Sequence, residues 1–105
     1  MTDVKCRVSK NEIVLDIKGH SGFDNTGRDI VCASVSMLSY AVAMYVDRQR
    51  GLSKSTSLKS GNVHIYIRCT DKERMERIKE VFRVFTDAFR LIAKTYPDFV
   101  TYRKA

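Results

Sequence analysis

No charged side chain occurs between Ile30 and Val46, a run of 17 residues in a chain of 105. Within it Val31, Val35, Leu38, Val42 and Tyr45 step by four and three, and Met37, Ala41 and Met44 form a neighbouring row. That is the period of an α-helix, here apolar on most of its sides. Such a helix must be covered, so the rest of the chain has to supply its cover. Ser34, Ser36 and Ser39 lie inside the run, and at this length a buried central helix is favoured over a membrane span. The stretch "DRQRG" closes it with cations and a glycine, as helix ends commonly do.

The flanking segments have the other period. In "VKCRV", Val4, Cys6 and Val8 face one way while Lys5 and Arg7 face the other; "IVLDIK" repeats the pattern with Ile13, Leu15 and Ile17. Joined by "SKNE", they predict an antiparallel hairpin. A weaker strand over residues 55–59 turns at "SGN" into a clear one, where Val63, Ile65, Ile67 and Cys69 alternate with His64, Tyr66 and Arg68. Asp71 is placed as the N-cap of a long second helix, and Pro97 stops it. Its stripe of Met75, Ile78, Phe82, Phe85, Phe89, Ile92 and Tyr96 reads first as core and second as a homodimer seam. "FVTYRK" suggests a short closing strand. The order ββαββα(β) predicts an α+β fold: small antiparallel sheet from hairpins, a buried central helix and a long amphipathic second helix. A single domain spanning residues 1–105 is expected.

Hydrophobic content of 44% with 30% charged residues excludes a disordered chain. No secretion signal is legible in "MTDVKCRVSKNEIV", so a cytoplasmic protein with no membrane partner is expected. The three cysteines, Cys6, Cys32 and Cys69, form no CxxC pair; reduced thiols and no metal or cofactor are the expectation. Cys6 and Cys69 fall on apolar strand faces and read as core. The formal charge of +7 is concentrated in residues 48–68, where Arg48, Arg50, Lys54, Lys59 and Arg68 occur without an acid. These five are candidate RNA contacts. From Asp71 to Lys94 the seven basic and five acidic residues are interspersed, the pattern of a solvated helix face. His64, on a polar strand face, reads as surface or RNA contact.

The chemistry concentrates in "GHSGFDNTGRDIVCASVS", residues 19–36. Asp29 stands where an N-cap belongs, which puts Cys32 in the first turn of the apolar helix. There the helix dipole favours a thiolate, and exposed N–H groups can receive an oxyanion. His20 lies just after Gly19 at the end of the second strand, and the glycine-rich loop can fold it back over the helix start. An imidazole in reach of the sulfur would hold the thiolate and protonate a leaving amine. Taken alone, Cys32 also fits a buried cysteine or a redox-responsive thiol, and His20 a turn residue.

The pattern GHxGxxxxGxDIVCAxVS resembles the signature of the ribosomal-processing cysteine protease family, Prp, and the element order resembles that family over the whole chain. Ser21 stands where the family pattern often has Ala. The resemblance implies an endopeptidase that removes a short N-terminal extension from a large-subunit ribosomal protein, cutting after an aromatic residue. Carried onto this chain, Cys32 would be the nucleophile and His20 its general base and acid. Asp29 would act as N-cap and electrostatic support, also orienting the histidine, and Ser36 would hydrogen-bond the sulfur or line the pocket. Gly19, Ser21, Gly22 and Gly27 would form the hinge and cover of the substrate loop. The family is homodimeric, which implies that apolar helix surfaces contribute to an interface.

One feature points elsewhere. A basic enzyme repels a basic ribosomal protein at long range, and the 48–68 stretch is not needed for proteolysis. The alternative is a non-catalytic basic module binding ribosomal RNA or a ribosomal protein. The His20–Cys32 pair discriminates, because a binding module has no need of it.

Overall fold

The computed structural model describes residues 1–24 and 29–105. Gly27, assigned above to the substrate loop, lies outside the described residues. The elements run β1 (Thr2–Val8), β2 (Glu12–Lys18), α1 (Ile30–Arg48), β3 (Ser53–Lys59), β4 (Asn62–Arg68), α2 (Lys72–Thr95) and β5 (Val100–Lys104). The strands form one five-stranded sheet in the order β3-β4-β2-β1-β5.

The hairpins β1–β2 and β3–β4 are antiparallel, as is the central β2–β4 pair, whereas β5 lies parallel to β1. The parallel edge follows from α2. A long helix between β4 and β5 carries the chain back over the sheet, so β5 enters in the direction of β4 and hence of β1. α1 does the same between β2 and β3.

Alternation then decides which face the helices cover. Val4 pairs with Ile17, Cys6 with Leu15, Leu15 with Ile65 and Ile13 with Ile67, so these side chains share one face. They are buried against Val31, Val35, Val42 and Val46 of α1 and Met75, Ile78, Phe82 and Phe89 of α2. The aromatic stripe of α2 is therefore core, with Phe85, Ile92 and Tyr96 packed at its margin. Phe89 is fully buried, and Phe89→Ala would cost about 3–5 kcal/mol. The other face is polar. His64 Nδ1 meets Asp16 Oδ1 at 2.6 Å, and the Tyr66 hydroxyl donates to Glu12 at 3.1 Å.

The expectation of a buried central helix holds for one side of α1. Ile30, Met37, Tyr40 and Met44 are exposed, because the sheet covers one face of a helix and α2 packs beside it. By length and composition α1 would also suffice to cross a membrane. Two of its serines are satisfied within the helix: the Ser34 and Ser39 hydroxyls donate to the carbonyls of Ile30 and Val35 at 2.7 Å.

Candidate active site

Asp29 is the N-cap of α1, with extended backbone at φ −76° and ψ 98°. Its Oδ1 accepts from the backbone N–H of Cys32 at 2.8 Å. Its Oδ2 accepts from the Phe23 N–H at 3.1 Å and from the Ser21 hydroxyl. Burial pushes the Asp29 carboxyl up, but the Ser21 hydroxyl and the backbone N–H groups of Cys32, Asp24 and Phe23 outweigh it and hold the group below its ordinary value. One carboxylate thus ties the segment after His20 to the first turn of the helix that carries Cys32.

Cys32 is the third residue of α1 and its side chain is half-buried. Because its own N–H is spent on Asp29, the N–H groups of Ile30 and Val31 are the ones without a partner among the described residues. These two are the available oxyanion donors at this helix end.

His20 follows Gly19, whose φ of +92° only glycine adopts freely and whose Cβ, if present, would run into the Met1 carbonyl. The Gly19 N–H donates to the Gly61 carbonyl at 2.9 Å, and the Met1 ammonium donates to the His20 carbonyl at 2.5 Å. The backbone at His20 is thereby pinned to the β3–β4 turn and to the residue before β1.

His20, Asp29, Cys32 and Ser36 all line one open cleft of about 820 Å3 between the start of α1 and the end of the β3–β4 hairpin. The sequence reading placed His20 and Cys32 together, and the fold brings both to this cleft. Among the described residues no hydrogen bond joins the imidazole to the thiol. Gly22, at φ +70°, also lines the cleft.

Among the remaining loop candidates, Ser21 is 2% exposed and its hydroxyl anchors the loop to Asp29. The Gly19 N–H is bound to the neighbouring turn. Asp29 makes no hydrogen bond to His20 among the described residues; its oxygens are occupied by Cys32, Phe23 and Ser21.

Sequence reasoning missed the third wall. Leu58, Lys59, Ser60 and Gly61 of the β3–β4 hairpin line the cleft, with Tyr40 of α1. Tyr40 had a legible signal, for it continues the row Cys32, Ser36 at a spacing of four. Leu58 and Gly61 had none, because only the sheet order brings that hairpin beside α1.

The remaining candidates lie apart. Cys6 and Cys69 are buried, and burial pushes the Cys6 thiol up to about 11 against the opposing pull of Arg90 and Lys104. His64 is exposed on the polar sheet face. Of the five candidate RNA contacts, Lys54 donates to the carbonyls of Asp47 and Gln49 at 2.6 and 2.5 Å, closing the end of α1. Arg68 pairs with Glu12 at 3.5 Å. Arg48 and Arg50 are exposed, and Lys59 stands at the cleft.

Comparison with known proteins follows the same lines. Residues 1–101 match the family model described as cysteine protease Prp. Among solved structures, the essential ribosomal processing protease Prp from S. aureus, in complex with a covalently linked product peptide, superposes with a TM-score of 0.71 at 16% identity, both chains covered in full. SMU.848 from Streptococcus mutans superposes with a TM-score of 0.69 at 26% identity, covering 99% of this chain and 93% of that one. The S. aureus likeness, at its low identity, shows the shared fold. A search of curated proteins finds no match.

Proposed function

The chain belongs to the cysteine protease Prp family, and from that premise we propose that it is a cysteine endopeptidase that removes a short N-terminal extension from a large-subunit ribosomal protein. Cys32 is the nucleophile and His20 the general base and acid. The observation that carries this reading is that a helix-start cysteine and a histidine from a separate strand end line one open cleft. A fold needs no such convergence for stability, and covalent acyl transfer does.

The chemistry follows from the positions. As His20 takes the thiol proton, Cys32 Sγ attacks the scissile carbonyl carbon. The oxyanion that forms is received by the N–H groups of Ile30 and Val31. Collapse breaks the C–N bond, and His20 returns the proton to the departing amine. Water, deprotonated by His20, then hydrolyses the thioester and restores the thiol. Asp29 keeps the helix start and the loop in register throughout.

The cleft supports an unfolded peptide segment as substrate, since it is open to the surface. Its apolar wall of Ile17, Val35, Leu58 and Val63 suits an aromatic residue beside the scissile bond. A cytoplasmic setting and a homodimer complete the reading. Of the five candidate RNA contacts of the alternative reading, Lys54 and Arg68 are engaged within the chain.

The test is mass spectrometry of a peptide copying the extended ribosomal-protein N-terminus, incubated with the protein and with Cys32→Ala. One cut after an aromatic residue, absent in the variant, is the expected result. An uncut peptide, with the protein folded, removes this substrate; a cut by folded Cys32→Ala removes the nucleophile assignment.

A further inference from the structure

The glycine at the β3–β4 turn has two independent reasons to be glycine, and only one concerns the turn. Gly61 has φ +70°, which accounts for its lack of a side chain as a matter of backbone conformation. Asn meets that requirement nearly as well. The second reason is His20. A Cβ built on Gly61 would lie 2.7 Å from Nε2 of the imidazole, 3.2 Å from Cε1 and 3.3 Å from Cδ2. No side chain other than hydrogen fits there without moving the ring. Gly51 is the contrast: at φ +75° it is also a turn glycine, yet its Cβ would meet nothing closer than 3.8 Å.

The two residues are also joined through the backbone. Lys18 pairs with Asn62, and one step further the Gly19 N–H donates to the Gly61 carbonyl at 2.9 Å. The strand end that carries His20 and the turn that receives its ring are therefore one hydrogen-bonded unit. The imidazole makes no hydrogen bond among the described residues, and the bare Gly61 Cα is a surface its ring packs against.

We infer that Gly61 is a positioning residue for His20: the bare corner of the β3–β4 turn is the surface against which the imidazole is held in the cleft that also contains Cys32. The inference rests on the roles assigned to His20 and Cys32 above. Proton transfer demands reach and alignment, and displacement of a catalytic group by about 1 Å is enough to cost on the order of 10²-fold in rate. A Cβ at Gly61 forces a shift of that kind.

The experiment uses Gly61→Ala and Gly61→Asn, each alone and combined with His20→Ala. It reads the rate of Cys32 alkylation by iodoacetamide and the NMR signals of the His20 ring. Alkylation requires no peptide, so the result stands apart from the choice of substrate. Gly61→Asn is expected to move the His20 ring signals while leaving the amide signals of α1 and the central strands in place. Cys32 alkylation should fall by about 10-fold, and with His20→Ala already present the Gly61 substitution should cause no further fall. Unchanged alkylation despite displaced ring signals overturns the inference, as does an equal fall in the His20→Ala background. If the Gly61 variants fold only when His20 is Ala, the contact is supported; if they unfold in both backgrounds, the turn acts without the histidine and the inference fails.

Discussion

Asp29 and Cys32 are bound backbone to side chain: the Asp29 carboxylate receives the Cys32 N–H at 2.8 Å, and its other oxygen receives the Phe23 N–H at 3.1 Å and the Ser21 hydroxyl. The residue that starts the helix is also the residue that fastens the loop leading from His20. Capping and site assembly are therefore the same set of contacts, and one substitution disturbs both.

Asp29→Ala removes both acceptor oxygens and with them the bonds from Cys32, Phe23 and Ser21, whereas Asp29→Asn retains an oxygen for Cys32 but presents an amide that cannot accept from Ser21 or Phe23. The thermal midpoint should fall in the order wild type, Asn, Ala, and cleavage should follow it. The carboxyl is held below its ordinary value of 3.8, so its contribution is present above that pH and lost as pH falls through the folded value. Melting curves from pH 7 downward should show a shallower acid decline for Asp29→Asn than for wild type.

Cys32→Ser keeps the shape of the site but replaces the sulfur by a far poorer nucleophile. Turnover should drop by about 10³-fold or more, with stability changed by less than about 0.5 kcal/mol. Peptide cleavage and chemical denaturation measured on one preparation give both numbers. A Cys32→Ser protein retaining a tenth of the activity would exclude the proposed chemistry.

Gly19→Ala and Gly22→Ala separate two kinds of glycine. Both positions have positive φ, but only at Gly19 does the new Cβ meet backbone; at Gly22 nothing lies within 4 Å. Gly22→Ala should cost about 1 kcal/mol and Gly19→Ala at least about 2–3 kcal/mol. Urea midpoints of equal size for the two would contradict the packing at the β2 end.

Cys6 supplies a test at high pH. Its thiol is raised from 9.0 to about 11 in the fold, so between those values the unfolded chain releases a proton that the folded chain keeps. Stability from this group is complete below pH 9 and declines as pH rises to about 11, by up to about 2–3 kcal/mol. Cys6→Ala should decline less over the same range in urea titrations. Cys6 should also resist iodoacetamide at pH 8 while Cys32 reacts.

Lys54→Ala should lower the thermal midpoint slightly, since the carbonyls of Asp47 and Gln49 lose their donor. Any RNA affinity should keep its salt dependence in this variant. A lost phosphate contact would instead appear as a reduced salt slope.

Periodicity and capping were legible because they are local. The alternation of Val4, Cys6, Ile13, Leu15 and Ile17 named the covered sheet face, and Asp29 and Asp71 marked both helix starts. Those features depend on residues within one or two turns of each other. The contact of Ser21 with Asp29 was not legible for the same reason in reverse: a serine in a glycine-rich loop has no local sign that its hydroxyl will be buried against a carboxylate.

The sequence by itself determined the order of elements, the buried rows, the N-cap beneath Cys32 and the pairing of Cys32 with His20 as candidates. Tertiary structure alone decided that β5 would lie parallel beside β1, that the β3–β4 hairpin would wall the cleft, and that Gly61 would receive the imidazole. The division has a physical origin. Hydrogen-bond periodicity and helix-end chemistry act between near neighbours in the chain, whereas the meeting of His20 with Gly61 depends on α1 carrying β3 across the sheet and on β4 pairing with β2.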